Sequence, residues 1–411
     1  MTVGSGTAAL ERRSEFRTVC TGCGADLGGG FLPLCPTCGE MSDVVYDLTA
    51  VELREAENPY VRYLDLLPVS DASRLPRAAR PTPCVEATRI GAEADLPQLY
   101  LKDETGLPTG TTKDRMAAVS LPYLYECGVR GFTTSSTGNS SSAYAHALAR
   151  VPELVMYVFT AAPFRERLSL ANTASLVDVV LEDATFVEAF AAAGEFAERR
   201  GLVAERGFFN PGRREGLKTA WLEAAEQVPR HIDWYVQAVS SAMGVYGVYK
   251  AARELEALGL AGPPPRLLCV QQETCAPMVS AWRAGVDHIR PNDIVQQPTG
   301  IASAILRGDP TKAYPHVRHI VQESGGTFAA VSEEEIRAAH RALHDLEGVP
   351  SCFAGATALA GLLQLRRAGV VSRSETVLVN VTGSDRPGTP PTAATRRLRR
   401  SAADWDLDAV C

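Results

Sequence analysis

Three things are missing from this 411-residue chain. It has no apolar run of the roughly eighteen residues that a membrane-spanning helix needs, so none is expected. Residues Met1 to Glu15 are small, polar and mixed in charge, and lack the apolar core of a secretory signal. There is no basic excess: 41 Lys and Arg stand against 48 Asp and Glu, a formal net charge of −7. That acidity argues against a broad nucleic-acid surface. The expected compartment is therefore the cytoplasm, and the expected partner is a small molecule rather than a membrane or nucleic acid. Apolar content is ordinary for a globular protein, and the length allows two or three subdomains with cores of their own.

The chain is organised around Leu99-Tyr100-Leu101-Lys102-Asp103-Glu104-Thr105-Gly106-Leu107-Pro108-Thr109-Gly110-Thr111-Thr112-Lys113-Asp114-Arg115. An apolar run of strand character passes through Gly106, Pro108 and Gly110, which break regular structure. It ends on Lys113, where Met116, Ala117, Val119, Leu121 and Leu124 begin an amphipathic helix. A lysine thus sits at the mouth of a strand–loop–helix unit, a place where a rigid frame positions chemistry. The plainer alternative is a surface lysine at a helix start. A cation there opposes the helix dipole, and a solvated first turn sooner carries Asp or Glu.

A second loop of this kind follows. Arg130 to Ser135 reads as a short strand leading into Ser135-Ser136-Thr137-Gly138-Asn139-Ser140-Ser141-Ser142 and an Ala-rich helix. Small hydroxyl residues and Gly at a helix N-terminus leave backbone N–H groups free to meet a carboxylate. The same residues also serve as ordinary helix caps. Further on, the strand Trp234 to Val239 runs into Ser240-Ser241-Ala242-Met243-Gly244 and another helix, and Val377 to Val381 runs into Thr382-Gly383. Asn210-Pro211-Gly212-Arg213-Arg214-Glu215-Gly216-Leu217-Lys218-Thr219 opens a helix with two candidate cations, Arg213 and Lys218. They read either as contacts for a phosphate-bearing substrate or as a solvated helix start. Strands alternating with helices over this region argue for parallel sheets.

Near the N-terminus, Cys20-x-x-Cys23 and Cys35-x-x-Cys38 flank a short loop containing Gly28, Gly29 and Gly30. Two such knuckles have the spacing of a small zinc ribbon, and four thiolates would close a structural site with no position left for substrate. The alternatives are reduced pairs that have lost their metal, and a redox role, for which one pair suffices. Ten cysteines fit a reducing compartment if four hold metal.

The stretch D-E-x(3)-P-T-G-x-x-K-D-R resembles the cofactor-lysine motif of fold-type II pyridoxal-phosphate (PLP) enzymes, nearest the threonine synthase branch with cysteate synthase beside it. S-T-G-N-S, N-P-x-R-x-E-G-x-K-T, P-T-G-I-A-S-A-I at Pro298 and V-x-V-T-G resemble that family's further motifs. The resemblance covers most of Pro81 to Gly383. It implies an α/β, tryptophan synthase β-like fold: two parallel-sheet subdomains in residues 81–386, the smaller at about 115–205. A tail and zinc-ribbon-like element (1–45), a packing arm (46–80) and a flexible basic C-terminal tail (387–411) complete the chain.

The resemblance also implies roles. Lys113 would carry PLP as a Schiff base and act as the catalytic base. Asn139 and Thr382 would hold the ring. Ser240, Ser241, Ala242, Met243 and Gly244 would cradle the phosphate, although most of the family's glycines are absent there. Ser136, Thr137, Gly138 and Ser140, with Arg213 and Lys218, would bind the substrate. Cys20, Cys23, Cys35 and Cys38 would bind structural zinc. A homodimer acting in amino acid biosynthesis is implied. The implied chemistry is elimination and replacement through an aminoacrylate-type intermediate on an amino acid with a phosphate-type leaving group. O-phosphoserine, in the manner of cysteate synthase, is read first; O-phosphohomoserine, in the manner of threonine synthase, second. A non-catalytic zinc-ribbon scaffold is the reading from another class. Thr112, Met116 and the run Ser384-Asp385-Arg386 depart from the family pattern.

Overall fold

The structure, a computed structural model, describes residues 11–171, 173–392, 394–401 and 404–410. Strands β1 (Phe16–Cys20) and β2 (Ser42–Tyr46) pair antiparallel around the cysteine knuckles. Then come β3 (Cys84–Glu86), β4 (Leu99–Asp103), β5 (Gly131–Thr134), β6 (Val155–Ala161), β7 (Leu176–Leu181) and β8 (Val203–Ala204). After them come β9 (Trp234–Ala238), β10 (Arg266–Gln272), β11 (Thr327–Val331) and β12 (Val377–Val381). Short strands β13 (Arg396–Leu398), β14 (Arg400–Ser401) and β15 (Asp404–Trp405) end the chain.

Two sheets form the body. The larger has the order β11-β10-β9-β12-β4-β3, parallel except for the edge strand β3, which runs antiparallel to β4. The smaller has the order β13-β7-β6-β5-β8 and is parallel throughout. Strands covered by helices on both faces read as continuous apolar runs, and β9 and β12 are buried along their whole length. Alternate residues serve opposite faces. Val377, Val379 and Val381 pack in one core with Trp234, Val236 and the Phe353–Arg367 helix. Leu378 and Tyr235 face the other core, with Leu121 and Trp221.

In parallel α/β sheets ligands bind beyond the carboxyl ends of the strands. The register Val377↔Leu99 to Val381↔Asp103 sets the ends of β12 and β4 level, and β9 lies on the other side of β12. Thr382, the Lys113 loop and the Ser240 loop therefore leave three adjacent strands at one edge of the sheet.

The Lys113 helix (Lys113–Glu126) is fastened by a buried charge network. The Arg115 guanidinium donates to Glu104 (2.6 Å), to Glu223 (2.6 and 2.7 Å) and to the Thr82 hydroxyl (2.7 Å). Lys102 donates to Glu223 (2.8 Å) and to the Thr82 carbonyl (2.7 Å). Two cations and two carboxylates cancel, with every charge hydrogen-bonded, which is the condition under which buried ions are tolerated. Motif residues flanking Lys113 thus build its frame. Gly212 and Gly216 let the Pro211–Leu217 helix close on the Lys113 helix: a side chain on Gly212 would sit 2.9 Å from the Ser120 Cα, and one on Gly216 would strike the Arg115 carbonyl.

Residues 46–80 lie against this frame, with Tyr60, Leu64 and Leu67 in one cluster with Val119. Ser332 and Glu335 form a capping box at the start of the Glu333–Glu347 helix. Two expected tails differ from the structure. Of the N-terminal tail, residues 1–10 lie outside the described residues, but Arg12, Arg13 and Ser14 are tied to Asp65, Leu67 and Asp47. Much of the segment 387–410 is packed rather than flexible: β13 extends the smaller sheet, and Leu398, Trp405, Leu407 and Val410 join its core. Its arginines, expected to be solvated, meet carboxylates, Arg397 at Glu182 and Arg400 at Glu188.

Removing one partner of the buried network leaves a charge without compensation. Arg115→Ala is expected to cost about 3–5 kcal/mol in denaturant unfolding; a loss under about 1 kcal/mol would refute the network's role as the frame.

Candidate active site

Lys113 begins its helix, and its ammonium has no hydrogen-bond acceptor among the described residues. Burial and the nearby positive charge of Arg213 lower its pKa to about 8. Such a lysine is a usable nucleophile and base near neutrality. Its loop is pinned to the end of β12. Thr112 N–H donates to the Thr382 carbonyl (2.9 Å), and Thr111 bridges Gly383. Gly383 is needed for this approach, since a side chain there would lie 2.6 Å from the Gly110 carbonyl. The Thr382 hydroxyl has no protein partner among the described residues and stands one residue beyond β12.

The Ser136 loop leads into the Asn139–Ala147 helix through Gly138, whose φ of +140° favours glycine. The Ser136 hydroxyl accepts from the N–H groups of Gly138 (3.2 Å) and Ser141 (3.1 Å). Ser136 is thus the internal brace of the loop. The N–H groups of Thr137, Asn139 and Ser140 have no protein acceptor among the described residues, nor do the Asn139 side chain and the Thr137 hydroxyl. The helix packs on the Lys113 helix, where Ser120 and Tyr144 hydroxyls meet at 3.0 Å.

The Ser240 loop enters the Met243–Ala257 helix with Ala242 in the left-handed region, φ +59°. No N–H from Ser240 to Gly244 has a protein acceptor among the described residues, so five consecutive donors line a helix N-terminus. Gly244 is required because a side chain there would lie 2.8 Å from the Gln237 amide. Gln237 is held by the Tyr235 hydroxyl (2.7 Å), which accepts from Asn380 on β12 (2.7 Å). The cradle and the Thr382 strand are thus braced to each other, although the loop has few glycines.

These groups fit PLP: a free amine, a row of N–H donors for a phosphate, and a neutral hydroxyl and an amide with no protein partner. The two expected substrate cations fare differently. Arg213 is buried and committed to an ion pair with Glu205 and a bond to the Tyr144 hydroxyl (3.0 Å); only a 3.4 Å contact reaches Ser140. Its donors are thus taken up within the protein, while its charge still reaches Lys113. Lys218 is withdrawn altogether, fully buried between Glu215 (2.5 Å) and Glu254 (2.8 Å) and 4.2 Å from the centre of the Tyr46 ring. The expectation that Lys218 binds substrate is corrected: it belongs to the joint between ribbon and body. There Arg214 meets Asp43 and the Ser42 carbonyl, and Lys250 meets Asp43, Glu215 and the Val44 carbonyl.

Residues given no role by the sequence are Thr82, Glu104 and Glu223 of the frame, Glu205 beside Arg213, and Arg167; Arg386 was visible only as part of the run that departs from the family pattern. Only the flanking K-D-E and K-D-R residues carried a signal, through their place in the motif.

The four ribbon thiols converge. All sulfurs lie within 4.8 Å of one another, with Cys20–Cys38 at 3.3 Å and Cys23–Cys35 at 3.8 Å. Thiolates about 2.3 Å from a shared tetrahedral ion stand about 3.8 Å apart. Backbone N–H groups of Cys38 and Thr37 hold the Cys35 thiol down at about 6, toward the ligating form.

A buried, deprotonatable lysine at the carboxyl edge of a parallel sheet, facing an anion cradle, defines a cofactor-lysine enzyme. Residues 75–383 match the pyridoxal-phosphate dependent enzyme family, and the chain belongs to it. The chain is 32% identical over 380 residues to the threonine synthase of Methanosarcina acetivorans, covering 90% of this chain and 91% of that one. It is 26% identical over 382 residues to the cysteate synthase of Methanospirillum hungatei, covering 90% and 89%. Maize serine racemase shares the fold: TM-score 0.61, 21% identity, 77% of this chain and 91% of that one. The protein is thus a fold-type II PLP enzyme of the threonine synthase and cysteate synthase branch. No helix among the described residues is long and apolar enough to cross a membrane.

An amine forms a Schiff base with an aldehyde only when unprotonated, so Lys113 is expected to capture PLP as its free amine. Capture by the cofactor-free protein, followed by absorbance, is expected to rise with pH through about 8; Lys113→Ala is expected to abolish the lysine-bound band. A midpoint near 10.5 would refute the depressed pKa.

Proposed function

We propose that the enzyme eliminates or replaces the β substituent of an O-phosphoserine-like amino acid. The observation that carries this reading is the free Lys113 ammonium at the carboxyl edge of the sheet, beyond β4, with Thr382 ending the neighbouring strand β12 and the Ser240 cradle ending β9 beyond that. PLP held there by Lys113, Asn139, Thr382 and the Ser240–Gly244 N–H groups would supply an electron sink that acidifies the substrate's Cα–H. The chain does the rest. Thr137, Asn139 and Ser140 N–H groups orient the carboxylate, and the Asn139–Ala147 helix dipole favours it. Lys113 takes the proton from Cα; with a pKa of about 8, roughly a tenth of it is free amine at neutral pH. Thr382 would offer the bound ring a neutral hydroxyl, where a carboxylate would make a stronger sink. This favours elimination and replacement over deeper carbanion chemistry.

O-phosphoserine is preferred because the chain departs from threonine-synthase habit in two places. The phosphate loop has lost glycines, and Ser384-Asp385-Arg386 stands after the Thr382-Gly383 motif. Likeness to the Methanosarcina threonine synthase supports a second reading, O-phosphohomoserine to threonine. The test is an absorbance titration of the holoenzyme with each compound, with product analysis. A spectral change with O-phospho-L-serine, and none with O-phospho-L-homoserine, is expected. Threonine formed from the homoserine ester would replace the first reading by the second, and silence with both would refute each.

We further propose that Cys20, Cys23, Cys35 and Cys38 hold one structural zinc. About one zinc per chain is expected by elemental analysis, falling to a small fraction in Cys20→Ser with Cys35→Ser. Because β2 docks on the helix that supports the Lys113 helix, zinc removal is expected to lower the thermal midpoint. A metal-free, equally stable wild type would refute the site.

A further inference from the structure

Arg213 is committed to Glu205 and Lys218 is sealed between two carboxylates, so neither guanidinium nor ammonium is free to hold a substrate anion. Two arginines are uncompensated. The Arg386 Nε and Nη2 atoms are buried and meet no acceptor. Neither Arg386 nor Arg167 forms an ion pair or side-chain hydrogen bond among the described residues. Buried guanidinium N–H groups left this way, on a side chain that is itself half-buried, are costly unless a ligand supplies the acceptors.

Both lie on segments that touch the loops of the candidate site. Ser384 N–H donates to the Gly110 carbonyl in the Lys113 loop (2.9 Å), which sets Arg386 two residues away. Beyond it, Gly388 presses on the backbone of Glu166 and Leu168, so the Arg386 and Arg167 segments cross. Arg167 backs the substrate loop: its carbonyl lies 3.2 Å and its Cβ 3.5 Å from where a side chain on Gly138 would begin. Burial lowers the pKa of both guanidiniums, and the charge of Arg167 lowers that of Arg386 further. Carboxylates act on them only from a distance, Asp385 on Arg167 and Asp114 on Arg386. Asp114 is already occupied by the Thr109 N–H (2.6 Å) and hydroxyl (2.9 Å). Two neighbouring cations without counterions, beside the loop proposed for the carboxylate and next to the Lys113 loop, make a receptor for an anion of more than one charge.

We propose that Arg386 and Arg167 bind the anionic substituent on the substrate's side chain, a phosphate ester, and are the specificity-determining pair for it. The assignment deepens the amino-acid reading above and rests on it.

Two measurements test it, both on full-length holoenzyme. The first is calorimetric titration with inorganic phosphate. Wild type is expected to bind it, with Arg386→Gln and Arg167→Gln each weakening binding about 10- to 100-fold, the range for a lost charged hydrogen bond. Arg386→Lys, which keeps the charge, is expected to recover part of the loss. Unchanged affinity in the Gln variants overturns the receptor. The second compares half-saturation by O-phospho-L-serine and by the uncharged ester O-acetyl-L-serine. The Gln variants are expected to shift the phosphate ester about 10- to 100-fold and the acetyl ester less than threefold. Equal shifts with both overturn the proposal, since they place the pair at the carboxylate or in the fold. Phosphate binding lost with phosphoserine unaffected also overturns it, in favour of a site for a free oxyanion. Should wild type respond to neither amino acid, the amino-acid reading falls, and with it the assignment to a substrate ester; calorimetry then shows independently whether the pair is an anion site.

Discussion

Arg115 is the constraint on which the site depends. It lies two residues beyond the cofactor lysine, buried, and spans Glu104 at the end of β4, Glu223 on a second helix and Thr82 in the segment before β3. A guanidinium offers five donors in a fixed fork, so one side chain fixes three segments at once. Lys102 completes the charge balance through Glu223. The ammonium of Lys113 can stand free because its neighbours' charges are satisfied. An uncompensated amine is tolerable on a helix held rigidly by something else.

The same principle sorts the remaining cations. Where a charge has structural work, the fold provides a counterion. Lys218 has Glu215 and Glu254, Arg214 and Lys250 have Asp43, and Arg165 has Asp178. Lys113, Arg167 and Arg386 have no such counterion within ion-pair distance among the described residues, and they are the charges proposed to serve the chemistry. Arg213 is intermediate, paired with Glu205 yet close enough to depress the lysine. The N-P-x-R-x-E-G-x-K segment therefore joins structure and chemistry. Its Arg214, Glu215 and Lys218 dock the cysteine ribbon, its glycines seat the Lys113 helix, and its Arg213 tunes the amine.

Much of the architecture was legible in advance. Parallel sheets, the Ser332 capping box, the convergent cysteine knuckles and the strand–loop–helix units at Lys113, Asn139 and Ser240 all follow from local pattern. The C-terminal segment was misread because its apolar residues, Leu398, Trp405, Leu407 and Val410, are thinly spread among arginines and show no period. They are core residues only because β7 offers an open edge and its helix offers Phe196. Lys218 was misread for a related reason: a lysine beside an arginine in a motif looks like an anion contact until its carboxylate partners are known.

The sequence by itself determined the class of chemistry. The lysine, the small-residue loops at helix starts and the threonine after β12 are local features, and their order along the chain suffices to identify the family. Tertiary structure alone decided which charges are available. Pairing brings together residues far apart in the chain, Lys218 with Glu254 and Arg115 with Glu223, and no local pattern encodes it. It left the Arg386 Nε and Nη2 atoms without an acceptor among the described residues, where a segment leaving one sheet crosses a loop belonging to the other.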